Sequence, residues 1–344
     1  MAPVIAQRMK ELYVPGTIVG VWAKGYEPWV AAYGVADLAT GRALKLEDAV
    51  RIGSITKTFT GTVVLQLVDE GKVGLDEPVG KYLTGVPNGQ NITVRQLGDM
   101  SSGLYNYSED KTFQKNLETS PRRAWKTDEL LPIAFKHPPY FAPGKGFHYS
   151  NTNTFLLGKI IEKVTGSTLH DEISRRIIAP LNLKRTVFAL DGAMPDPHSH
   201  GYLYDDDIKP PKLPEDITDW NPSWGWAAGA IVSTLEDVRV YAKALGTGSL
   251  VSAKSQVERQ KWANQPGPPD PRWKDLPSSY GFAMFSIGGF LGHNGGIPGF
   301  QSFMGYNPET EATVLIFCNL QNSPDGVTPA DDFALRIISA MREK

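Results

Sequence analysis

A single cysteine, Cys318, stands in the whole chain, so no intrachain disulfide can form and a cysteine-rich metal site is excluded. It lies in the apolar, β-like run from Ala312 to Leu320, which reads as the setting of a buried, inert thiol. No stretch reaches the roughly 18 uninterrupted apolar residues that a membrane-spanning helix needs. Neither sign of charge dominates: 35 Lys and Arg oppose 37 Asp and Glu without long runs, which leaves no footprint for nucleic acid and no polybasic membrane patch. A phosphate-binding glycine loop of the Walker or dinucleotide type is also missing. From Met1 to Gly16, Gln7, Arg8, Lys10 and Glu11 interrupt the apolar residues, the pattern of an amphipathic surface helix rather than a signal peptide. The compartment stays open.

What is present is an ordinary globular composition, 41% apolar and 21% charged over 344 residues, enough for about two structural units. Thr17 to Ala23 and Trp29 to Val35 are β-rich runs around the turn-forming Lys24 to Pro28, which predicts a hairpin. Ile55 to Glu70 is apolar on most faces at helical length, with Gly71 as C-terminal stop, and a helix of that kind belongs in an interior. From Leu75 to about Ala230 helical segments and long loops prevail, including Leu156 to Val164 and Leu169 to Ile177. Thr234 to Leu245 reads as a helix, and Gln265 to Pro271 as a proline-rich surface loop. Tyr280 to Ile287, Phe290 to His293, Phe300 to Tyr306 and Thr313 to Leu320 read as strands, and Ala330 to Arg342 as a closing amphipathic helix. Strands at both ends with helices between them imply one antiparallel sheet whose first strands come from the N-terminus and the rest from the C-terminus, around an inserted helical region. Residues 1–75 and 231–344 read as the sheet-bearing part and 76–230 as the mainly helical part.

Chemistry concentrates first in Gly53-Ser54-Ile55-Thr56-Lys57. A serine at the start of a buried helix with a lysine three residues on puts both side chains on one face, one turn apart. Serine alone is a weak nucleophile, and the lysine can accept its proton only where burial favours the neutral amine. The unpaired N–H groups of the helix start can stabilise an oxyanion. Tyr149-Ser150-Asn151 supplies a phenol able to shuttle a proton and an amide able to bind a carbonyl. His293-Asn294-Gly295-Gly296 offers glycines that admit a substrate backbone and, in the N–H of Gly296, a second oxyanion donor. Each alone has a plain alternative: a capping serine, a buried aromatic, a glycine-rich hairpin.

In this order, Ser-x-x-Lys, Tyr-x-Asn and a basic residue-x-Gly resemble the combined signature of the serine β-lactamase and penicillin-binding protein superfamily. Leu-Gln-Leu-Val-Asp-Glu-Gly-Lys (65 to 72), Ser-Ser-Gly-Leu (101 to 104) and Tyr-Ser-Asn-Thr-Asn (149 to 153) carry the resemblance further, toward secreted serine D-alanyl-D-alanine carboxypeptidases and their D-aminopeptidase, D-amino-acid amidase and esterase relatives. The resemblance implies Ser54 as nucleophile and Lys57 and Tyr149 as the proton-transfer pair. It implies Asn151 as contact to substrate and lysine, His293 as the third-motif base, Gly295 and Gly296 beside the substrate, and Trp224 in the cleft wall. It implies an α/β (α+β) fold, an antiparallel β-sheet flanked by helices plus an all-α domain with the active-site cleft between them, and it implies no cofactor and no metal, a small-molecule or peptide substrate, and β-lactams as covalent inhibitors.

Three departures bear on the leaving group. His293 stands where most members have lysine, Gly296 where carboxypeptidases commonly carry a hydroxyl residue, and Phe285 where the similar carboxypeptidases show an arginine. The leading expectation is a serine hydrolase acting on D-amino-acid peptides, amides or esters. The alternatives are a broad esterase and a catalytically silent homologue. Asp196, His198 and His200 read as a polar loop rather than a metal pair, and Asp205 to Asp207 as a solvated loop. Trp220, Trp224 and Trp226 read equally as cleft lining or core, and Phe282, Phe285 and Phe290 as sheet packing.

Overall fold

In the computed structural model, which describes residues 2–204, 210, 212–262 and 276–342, the two ends of the chain meet in one sheet. The Gly16–Trp22 strand pairs with Trp29–Asp37 on one side and Ala312–Cys318 on the other, with Thr17 opposite Cys318. Eight antiparallel strands follow in the order Arg42–Ala43, Trp29–Asp37, Gly16–Trp22, Ala312–Cys318, Phe300–Asn307, Phe290–Ile297, Phe285–Ile287 and Ser278–Tyr280. Strand side chains alternate between faces. Ala312, Val314, Ile316 and Cys318 accordingly pack with Ile5 and Met9 of the Ala2–Glu11 helix and Phe333 and Ile337 of the Pro329–Arg342 helix. Leu315 and Phe317 point the other way, into a core shared with Val238 and Tyr241 of the Leu235–Thr247 helix. The expected antiparallel sheet flanked by helices is the fold observed.

That second core continues into Thr56–Asp69 and Asn151–Thr165. Eleven residues of Thr56–Asp69 are buried, Lys57 among them. Its threonines fit an apolar setting because their hydroxyls bond to backbone carbonyls: Thr58 to Ile55 (2.7 Å), Thr62 to Thr58 (2.7 Å) and Thr60 to Ala227 (2.8 Å).

Two expectations need correction. The Tyr280–Ile287 strand is broken, because the backbone of Gly281 to Met284 leaves the sheet to bond elsewhere: Phe282 N donates to Arg259 O (2.9 Å) and Ala283 N to Gly98 O (2.8 Å). The stretch between Leu75 and Ala230 is not helix and loop alone. Val187–Phe188 joins Ile231–Ser233 and Val50–Arg51 in a small sheet, and Tyr202–Leu203 pairs with Glu215–Asp216. The acidic triplet at 205–207, the proline loop at 265–271, and Arg272 and Lys274 lie outside the described residues.

Candidate active site

The turn that presents Ser54 is a short 3-10 segment, Gly53–Ile55, running directly into Thr56–Asp69. It is pinned on two sides. Ile52 N donates to Ile231 O (3.0 Å), and Ser302 Oγ, from the sheet, donates to Ile52 O (2.9 Å). The Phe290–Ile297 strand lies against this turn so closely that side chains are excluded. A Cβ on Gly295 would sit 2.1 Å from Ile52 O, and one on Gly53, whose φ is +51°, would sit 3.0 Å from Gly296 N. The backbone N–H of Gly296 is thereby held beside the serine turn, while Ser54 itself stays partly accessible.

Lys57 is fully buried, and its Nζ lies 2.9 Å from Ser54 Oγ and 3.0 Å from Ala228 O. Ala228 belongs to the short Trp226–Gly229 helix, which also accepts from Thr60, while Thr56 Oγ1 accepts from Ile231 N (3.1 Å). Desolvation pushes the pKa of Lys57 well below the usual lysine value. The same Nζ sits 4.8 Å from the ring centroid of Tyr149. A serine, an amine shifted toward its neutral form and a phenol ring thus meet in one place.

Asn151 opens the Asn151–Thr165 helix, but its amide engages a different partner from the one the resemblance implies. Its Nδ2 donates to Ser108 Oγ (2.9 Å), while the described bonds of Lys57 Nζ run to Ser54 and Ala228. Buried Asn106 organises this corner, its Oδ1 accepting from Asn151 N (3.1 Å) and from Ser108 Oγ (3.0 Å).

His293 is buried on the Phe290–Ile297 strand, with Nδ1 2.5 Å from Asn294 O and Nε2 3.0 Å from the Tyr280 hydroxyl. Its ring centroid is 5.9 Å from that of Tyr149 and 5.5 Å from that of Phe285. Tyr280 also meets Tyr149 edge-on at 6.1 Å, and burial, with a smaller contribution from Tyr149, pushes its phenol pKa well up. Phe285 is a core residue tilted against Phe303 (5.6 Å), in keeping with sheet packing.

The three tryptophans separate. Trp226 is buried against Phe155, Trp224 is half-exposed with its ring edge-on to Phe113, and Trp220 lines a surface depression with Arg122, Arg123 and Asp219. His198 and His200 stack at 5.8 Å with Nδ1 atoms beside Asp196 (2.9 Å) and Asp216 (2.6 Å). Sequence reasoning missed Asn106, Ser108 and Tyr280. Only the Asn-x-Ser turn pattern at 106 to 108 gave any signal; Tyr280 reaches the site through strand pairing.

Fold and site together define a member of the serine β-lactamase and penicillin-binding protein class, a class of hydrolases. A family model described as Beta-lactamase matches residues 1–337, and the chain belongs to that family. Among solved structures it resembles a D-stereospecific amidohydrolase from Streptomyces sp., 31% identical with a TM-score of 0.81, covering 94% of this chain and 95% of that one. It also resembles the D-amino acid amidase of Ochrobactrum anthropi SV3, 26% identical with a TM-score of 0.84 and 99% of each chain covered. Protein flp of Staphylococcus aureus (strain MW2) is 26% identical over 328 residues, which are 93% of this chain but 62% of that protein. The chain thus spans under two thirds of that relative's length.

Proposed function

We propose that this chain is a serine hydrolase that forms an acyl-enzyme at Ser54 and acts on D-amino-acid-containing peptides, amides or esters. The observation that carries the reading is Lys57, fully buried with its Nζ 2.9 Å from Ser54 Oγ and its pKa depressed by burial. One hydrogen of the neutral amine is committed to Ala228 O, and its lone pair is then available to the serine proton. As Ser54 Oγ bonds to the substrate carbonyl carbon, the proton passes to Lys57, and the carbonyl oxygen becomes an oxyanion facing the N–H groups of Ser54 and Gly296. Collapse expels the leaving amine or alcohol, which takes a proton relayed through Lys57 and Tyr149. Water then attacks the ester, gives up a proton by the same route, and releases the acid and Ser54. A β-lactam follows the first half of this sequence and acts as a covalent inhibitor. The substrate enters between the sheet-bearing part, 1–75 and 231–344, and the helical part, 76–230, with Asn151 on its carbonyl and Trp224 in the wall.

The leaving-group end favours neutral substrates. Phe285 stands where the similar carboxypeptidases have arginine, and it is a buried ring with no donor. A carboxylate there gives up hydration without compensation, and one charge-assisted bond is worth about 1.5–3 kcal/mol, or roughly 10–150-fold. We therefore expect kcat/KM for the C-terminal amide of a D-alanyl-D-alanine peptide to exceed that for the free acid by about that factor. A clear preference for the free acid returns the protein to the carboxypeptidase activity. Failure of an active-site serine probe to label Ser54 removes the hydrolase reading altogether.

A further inference from the structure

The bonds around His293 specify where its proton sits. A backbone carbonyl can only accept, so the 2.5 Å contact from Nδ1 to Asn294 O requires the proton on Nδ1. In the neutral ring Nε2 then carries a lone pair, and its 3.0 Å partner, the Tyr280 hydroxyl, is the donor. Neutrality suits the surroundings, since the ring is 1% exposed and lies among Tyr149, Tyr280 and Phe285. Tyr280 does a second thing. Its ring is edge-on to Tyr149, interplanar angle 87°, on the flank of the phenol whose face lies over Lys57 Nζ.

We propose that Tyr280 is a positioning residue of this site, its hydroxyl holding His293 as the Nδ1–H tautomer and its ring holding Tyr149 against Lys57. The inference rests on the serine-hydrolase reading, and it explains how a histidine serves in the third motif: the imidazole is oriented from behind by a phenol. Tyr280 is well placed for this because it pairs opposite Phe285, and Phe285 in turn pairs opposite Gly292, the residue before His293.

The test is Tyr280→Phe, which removes one oxygen and keeps the ring packing. We expect kcat toward the best neutral amide or ester to fall at least tenfold while KM moves less than about threefold, because an interaction felt mainly in the transition state is lost. Nitrogen-15 spectra of the histidine-labelled parent at neutral pH should show His293 protonated at Nδ1 alone, and the variant should lose that single-tautomer signature. A packing role alone lowers the melting temperature without altering the tautomer. A parent His293 protonated at Nε2, or a variant with the parent's kcat and tautomer, overturns the proposal. Stoichiometric labelling of Ser54 in the parent separates that failure from failure of the hydrolase reading, in which Ser54 goes unlabelled.

Discussion

Gly53 permits a sharp test of the oxyanion assignment, because two separable costs attach to giving it a side chain. The first is conformational: at φ +51° an L-residue occupies the left-handed region, which costs roughly 1–2 kcal/mol. The second is steric and specific to the site, since an alanine Cβ would lie 3.0 Å from Gly296 N and 3.1 Å from its carbonyl carbon and oxygen. The glycine strand must retreat by a few tenths of an ångström, and the Gly296 N–H moves off the oxyanion position. Outright loss of such a donor typically costs about 10²–10³ in kcat, so a displaced one should cost at least tenfold. Gly25→Ala is the matched control, with φ +81° and no heavy atom within 4 Å of its would-be Cβ. Denaturant unfolding should show Gly53→Ala losing at least as much stability as Gly25→Ala, whereas steady-state rates per titrated active site should fall only in Gly53→Ala. Parent rates in Gly53→Ala would refute the claim that Gly296 supplies the second oxyanion donor.

Further outcomes are expected. Lys57 has a folded-state pKa depressed by burial, so below the ordinary lysine value the unfolded chain binds a proton that the native state lacks. Stability therefore rises with pH across the window from the depressed pKa to about 10.5, with a slope of at most ~1.4 kcal/mol per pH unit. Lys57→Met should flatten that slope in pH-dependent unfolding and gain stability at neutral pH while losing activity; an unchanged slope would mean the native lysine is charged. Ser54→Ala should abolish turnover and β-lactam acylation with the circular dichroism spectrum unchanged, and substantial residual activity would remove Ser54 as nucleophile. Tyr149→Phe should slow acylation by about 10²–10⁴, the usual worth of a proton-transfer group, as measured by stopped-flow burst kinetics. Wild-type acylation in that variant would assign the proton relay to Lys57 alone.

Much of the fold was legible because it rests on periodicity. The β-rich apolar run from Thr313 to Leu320 and the all-round apolar character of Ile55 to Glu70 survive in the structure as Ala312–Cys318 and Thr56–Asp69. The break between Tyr280 and Phe285 was not legible, since it depends on carbonyls at Gly98 and Arg259 that lie far away in sequence. The same holds for the candidate site. Ser54 and Lys57 share one helical turn, so spacing alone joins them. Tyr280 joins His293 only after two chain reversals, and Asn151 meets Ser108 only after the Tyr107–Glu109 turn has packed beside the helix start. Trp226 looked equivalent to Trp224 in sequence, yet one is core and the other half-exposed, because burial is settled by the aromatic partners Phe155 and Phe113.

The placement of Gly16–Trp22 beside Ala312–Cys318 has a bearing on biosynthesis. Thr17 and Phe317 are hydrogen-bonded at a separation of 300 residues. At a translation rate of about 5–20 residues per second, the N-terminal hairpin waits about 15–60 s for its partner strand, with one hydrogen-bonding edge uncovered. The serine turn waits as well, since the strand that brings Gly295 and Gly296 against it emerges after more than four fifths of the 344 residues. The Gly53–Ile55 turn therefore stays without its Gly295 and Gly296 neighbours until that strand has been made, and the Gly16–Trp22 edge is the surface a chaperone or a second nascent chain meets first.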